Sequence, residues 1–176
     1  MLCPFFGNAQ EYVLINPSVQ REKIIIGEFS MFYKVQLDEN LYWVHAIEPR
    51  WQNVVGIMNE NELIPVYKDS VSDGYYQRAN FYQSAEDTRD LIIVVFHTFD
   101  DSPSAMLFFS LHDGIAQWLG ELALFTYPSD DLPGFPEDLM SIRIEESQLQ
   151  LQFKSGKYLY LHDYLEKPID GPFRFI

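Results

Sequence analysis

The chain has 176 residues and carries 26 acidic against 12 basic side chains, a formal net charge of −14. That balance opposes nucleic acid as a partner, because such binding depends on cationic contacts to phosphate, and it disfavours an anionic membrane surface. An apolar content of 47% excludes a disordered chain, and the length suits a single domain, 1–176, with room for a weak boundary in a polar connection over 68–90.

The first strands announce themselves by alternation, since successive side chains of a strand point to opposite faces. EYVLI, KIIIGEF and SMFYKVQL follow one another from Glu11 to Leu37. In the last, Met31, Tyr33, Val35 and Leu37 are expected on one face, with Phe32, Lys34 and Gln36 opposite. Asp38-Glu39-Asn40 reads as a turn, LYWVHAI as the returning strand, and Pro49-Arg50 as its end. NVVGIM and ELIPVY come next, separated by Asn59-Glu60-Asn61. Several short strands at short spacing predict a sheet rolled into a barrel or sandwich.

Residues 68–90 are more polar and read as a long connection holding Tyr75, Tyr76, Phe81 and Tyr82. Those rings either stack on a ligand or cover a sheet. LIIVVFHTF, 91–99, is a continuous apolar run expected as a central strand buried on both faces. Asp100-Asp101-Ser102-Pro103 turns it into SAMLFFSL, its antiparallel partner.

One helix is predicted, near 113–125, in DGIAQWLGELALF. Ile115, Trp118, Leu119 and Leu122 have the i, i+3, i+4, i+7 spacing of an apolar stripe, and Asp113 suits an N-cap. Gly120 opposes it by about 1 kcal/mol against alanine, and two short strands are the alternative. TYPSDDLPGFPEDL reads as a loop, and SIRIEESQLQLQFKSGKYLYLHD as a three-strand meander ending in His162-Asp163. The fold class is therefore mainly β, of α+β type: an antiparallel sheet rolled into a barrel or sandwich, with that one short helix.

Three strand ends carry His and Asp together: His97 with Asp100, His112 with Asp113, and His162 with Asp163. Gathered on one rim they would suit zinc. Adjacent antiparallel strands, however, end at opposite rims, so the Asp residues are read as turn formers and no metal or other cofactor is expected. Cys3 is the only cysteine, which rules out an intramolecular disulfide and leaves the compartment open, with the cytoplasm slightly favoured over periplasm or secretion. MLCPFFGNAQ lacks the basic beginning of a secretion signal, and no apolar run reaches the ~18 residues of a spanning helix. None of the phosphate-cradling, nucleophile-elbow or HExxH motifs occurs, so an enzyme is not expected.

Charge is unevenly placed. Between Arg89 and Arg143 there is no Lys or Arg, while the same stretch holds nine acids. Within it, Asp130-Asp131 and Glu137-Asp138 flank Pro133-Gly134-Phe135-Pro136. Prolines restrict the backbone, so Phe135 is presented semi-rigidly between carboxylates, unless it tucks into the core. The same oxygen-rich loop lacks the alternating D-x-D-x-D-G pattern of a calcium site. The expected function is non-enzymatic: an acidic inhibitor or immunity-type protein docking a basic protein surface, such as the cleft of a toxin or nuclease. The contact residues are Asp130, Asp131, Phe135, Glu137 and Asp138, with Asp100 and Asp101. A β-barrel carrier of a small apolar ligand and a metal-dependent enzyme of unrecognised type are the alternatives.

Overall fold

Alternation at period two dictates strands, and the computed structural model consists of them. It describes residues 10–20, 23–49, 52–60, 62–69, 74–99, 102–125, 139–145, 148–153, 160–161 and 173–174. In chain order the strands are β1 (Gln10–Ile15), β2 (Val19–Gln20), β3 (Ile24–Ile26), β4 (Phe29–Gln36), β5 (Leu41–Ile47), β6 (Asn53–Asn59) and β7 (Glu62–Lys68). They continue as β8 (Gly74–Ser84), β9 (Leu91–Phe99), β10 (Ser102–His112), β11 (Ile115–Phe125), β12 (Leu139–Glu145), β13 (Gln148–Phe153), β14 (Tyr160–Leu161) and β15 (Phe173–Arg174).

The strands form two antiparallel sheets. The smaller runs β2-β4-β5-β6-β7, with β3 also pairing β4; the larger runs β14-β11-β10-β9-β8-β1-β12-β13-β15. The mainly β, antiparallel class expected from the alternation is the one the chain adopts, the sheet curling into a half-barrel. Among the described residues there is no helix long and apolar enough to cross a membrane.

The expected helix near 113–125 is instead β11. Asp113 has φ 47° and Gly114 φ 78°, and His112 pairs with Ile115 across them. Two consecutive positive φ values define the hairpin turn whose twist matches the flanking strands, and Asp-Gly is a preferred pair for it. Asp113 thus turns a hairpin rather than capping a helix. The helical spacing has its own cause. The register slips so that Phe109 faces Trp118 but Phe108 faces Gly120, which leaves Leu119 as an extra residue. A bulge turns a step of two into a step of three, and a step of three is what a helix stripe also shows.

The expected connection over 68–90 is likewise mostly strand. β8 pairs β9 along its length and β1 through Phe81–Ser84. Ala79, Phe81, Tyr82 and Ser84 are buried and Arg78, Asn80 and Gln83 half-buried, so polar side chains lie on both faces of β8.

One core joins the sheets. Tyr33, Val35, Trp43, Val55 and Ile57 of the smaller sheet pack with Ala79, Phe81, Leu91, Ile93, Val95, Leu107, Phe109 and Leu111 of the larger. Ile92, Val94 and Phe96 alternate with that set and are also buried, so β9 is enclosed on both faces, as its unbroken apolar run predicts. The Tyr33 hydroxyl accepts the Ala79 N–H and donates to the Ala79 carbonyl, both at 3.3 Å. Ala79 lies beyond the last β1–β8 pair, Ile15 with Phe81. A side chain from one sheet therefore closes a gap in the ladder of the other.

A second cluster, Met31, Val44, Ala46 and Met58, occupies the opposite face of the smaller sheet. Met31 was expected beside Tyr33, Val35 and Leu37. A register shift between Met31 and Tyr33 sends it to the other side.

Candidate functional site

The sequence-predicted contact residues Asp100, Asp101, Asp130, Asp131, Phe135, Glu137 and Asp138 lie outside the described residues. The pair His162-Asp163 does too. The other two histidines of that pattern are placed at opposite ends of the β9–β10 ladder. His97 faces Ala105, whereas His112 lies just past the Leu91–Leu111 pair. His97 Nε2 sits 3.1 Å from Asp69, on the loop after β7. Among the described residues, no group of three or more His, Cys, Asp or Glu side chains converges as metal ligands would.

Around His112 the turn 85–90 and the β10–β11 hairpin are tied by charge. Arg89 donates to Asp87 at 2.6 and 3.0 Å and to Asp113 at 3.0 Å. His112 Nδ1 contacts Asp90, and its Nε2 lies 3.3 Å from Asp113. Gln10 of β1 donates to Asp90 at 3.2 Å and to the Ser84 hydroxyl at 2.9 Å. The hydrogen bond to Asp90 and the charges of Asp90 and Asp113 raise the proton affinity of His112. The Arg89 hydrogen bonds hold Asp87 down at about 2. Burial, followed by Asp90 and Glu86, pushes the Tyr12 phenol up to about 12. Among these contacts the Ser84 hydroxyl meets Gln10 and the N–H groups of Glu86 and Asp87, not His112. The network therefore fixes a hairpin tip rather than activating a nucleophile.

A different arrangement forms where the two sheets meet. Among the described residues β11 pairs with β14 at Leu124 and Phe125, and β7 is the last strand of the smaller sheet. Both strands are bulged. On β11, Trp118 lies opposite Phe109 and Glu121 opposite Leu107. On β7, Tyr67 lies opposite Val55 and Ile64 opposite Ile57. Phe109, Leu107, Val55 and Ile57 all belong to the shared core. Directly opposed residues share a face, so each bulge sets two side chains three apart on the side where the sheets face each other.

The result is an aromatic corner. The Tyr67 ring lies 5.6 Å from Trp118 at 37° and 6.2 Å from Phe109 at 75°, and Phe109 lies 5.1 Å from Trp43 in the core. Trp118 is nevertheless 49% exposed, and Ile64 on the same face of β7 is exposed as well. Glu121 is exposed. The Tyr67 phenol is raised first by burial, then by the charges of Glu121 and Asp69, which places carboxylate at this corner. The neighbouring cation, Lys68, turns away to Glu48 at 2.8 Å and lies over the Phe29 ring. Among the described residues no cation pairs with Glu121.

Trp118 and Glu121 were legible only as parts of a helical stripe and of an acid count. Their proximity to Tyr67 depends on two bulges and on sheet pairing. Comparison with protein-family models, with curated proteins and with solved structures finds no match for this chain.

Proposed function

We propose that this chain is a non-enzymatic acidic binding protein, an inhibitor or immunity-type protein that docks the basic surface of another protein. The observation that carries the reading is how the chain uses its cations. Lys68 is held by Glu48, Arg89 by Asp87 and Asp113, and Arg143 by Glu11. These cations are engaged by the protein's own carboxylates, and a formal charge of −14 remains. An uncompensated field of that sign attracts a cationic surface and speeds encounter with it. Asp130, Asp131, Glu137 and Asp138, with Phe135 between them in sequence, remain the proposed contact segment, together with Asp100 and Asp101.

The test is a binding panel of cationic nuclease and toxin domains, with neutral and acidic proteins as controls, at low and high salt. One basic partner is expected to form a stoichiometric complex that weakens with salt, because screening acts on exposed charges. Replacing Asp130, Asp131, Glu137 and Asp138 together by Lys is expected to abolish it. The proposal is overturned by binding indifferent to both salt and charge reversal, or by no basic domain being retained.

A further inference from the structure

We propose that Trp118, Tyr67 and Glu121 form a receptor for an arginine side chain of that basic partner, at the corner where β7 and β11 meet. The inference rests on the reading of the chain as a binder of basic proteins and names further contact residues on it, distinct in sequence from 130–138. A guanidinium is planar and keeps its charge, and it stacks on an indole face while its N–H fork meets a carboxylate. The corner supplies both halves of that recognition. Trp118 is 49% exposed, although its ring lies against Tyr67, which fixes the orientation of the indole. Glu121 lies on the same side of β11, set there by the extra residue Leu119.

Two further observations favour a cation over another occupant. Lys68, next to Tyr67 in sequence, is bonded to Glu48 instead of Glu121. The chain as a whole is acidic, so a cationic side chain meets complementary charge here. Anchors of this kind, an aromatic flanked by charge at a defined spot, carry much of the energy of an interface. Lysine fits less well, because its ammonium cannot stack and fork at once.

The experiment uses the full chain and short Gly/Arg, Gly/Lys and Gly/Glu peptides, with the Trp indole N–H resonances and calorimetry as readouts. The Gly/Arg peptide is expected to bind more tightly than Gly/Lys, with Gly/Glu inert and the Trp118 indole signal shifting. Trp118→Ala is expected to weaken Gly/Arg binding by about 2- to 30-fold, the range of a cation–π contact. Glu121→Gln, an exposed and conservative change, is expected to weaken it severalfold and keeps the test valid should Trp118→Ala disturb the fold. Glu62→Gln, on the far end of β7, is expected to leave it unchanged. If Gly/Arg binds but neither variant matters, the corner is overturned while the basic-partner reading survives on another surface. If no Arg peptide binds, or a neutral oligosaccharide stacks on Trp118 instead, the corner is also overturned. The basic-partner reading falls separately, when whole cationic domains are ignored as well.

Discussion

At the scale of single residues, Tyr33 shows how one hydroxyl holds two sheets together. It is buried, and its partners are the backbone groups of Ala79 at a place where β1 no longer pairs with β8. Tyr33→Phe keeps the ring but strands both groups, and a buried polar group without a partner costs ~1–3 kcal/mol. Urea unfolding is expected to show a loss of that size; an unchanged midpoint would show that the bond contributes nothing. Beside it, the Trp43 indole N–H donates to His45 Nε2 at 3.0 Å, which leaves the ring proton on Nδ1, and His45 stacks on Tyr33 at 4.5 Å.

His112 and Asp87 have opposite pH signatures. His112 binds its proton more tightly when folded, chiefly through Asp90. Its contribution is therefore complete below the unfolded value of ~6.5 and is lost as pH rises through the folded value. The Tm gap between the protein and His112→Gln is expected to be widest in mild acid and to close in alkali; a gap constant with pH would contradict the pairing. Asp87, held at about 2 by Arg89, contributes above the ordinary carboxylate value near ~3.9 and loses that contribution as pH falls towards the folded value. Asp87→Asn is expected to lower Tm at neutral pH and to make no difference in strong acid.

At the scale of elements, the bulge is the feature that separates what the sequence displays from what the chain does. Regular alternation was readable in β12, in β13 and in β4 beyond Met31, and the unbroken apolar run in β9 named the central strand. In β11 the extra residue Leu119 produced a helix-like spacing, and in β4 the shift after Met31 moved one side chain to the wrong predicted face. A local pattern shows no register, because register is set by the partner strand. β8 was missed for a related reason: polar side chains on both of its faces make a strand look like a connection. The Asp113-Gly114 pair was the stronger signal and pointed to a hairpin all along. Gly114→Ala, at φ 78°, is expected to cost about 1 kcal/mol. Gly56 is restricted differently, because an added methyl would collide with the Ile64 carbonyl across the β7 bulge. Gly56→Ala is expected to cost about 1–3 kcal/mol by overpacking. Thermal melts of the two variants check both; an unchanged Gly56→Ala would mean that β7 moves aside freely.

At the scale of the whole molecule, charge and topology carry separate lessons. The acidic balance was legible at once, but the place where it meets an aromatic anchor was not, since Tyr67 and Trp118 belong to different sheets. The order of the larger sheet has a consequence for how the protein is made. β1 stands between β8 and β12, pairing Leu14 with Tyr82 on one side and Tyr12 with Ile142 on the other. The hairpins of 24–68 have neighbours close in sequence, whereas β1 must wait for almost half the chain before its first neighbour arrives and for most of it before the second. β1 thus joins β8 and its neighbours to β12, β13 and β15 through pairings that are distant in sequence on both sides. Such distant pairings make folding a matter of milliseconds to seconds rather than microseconds.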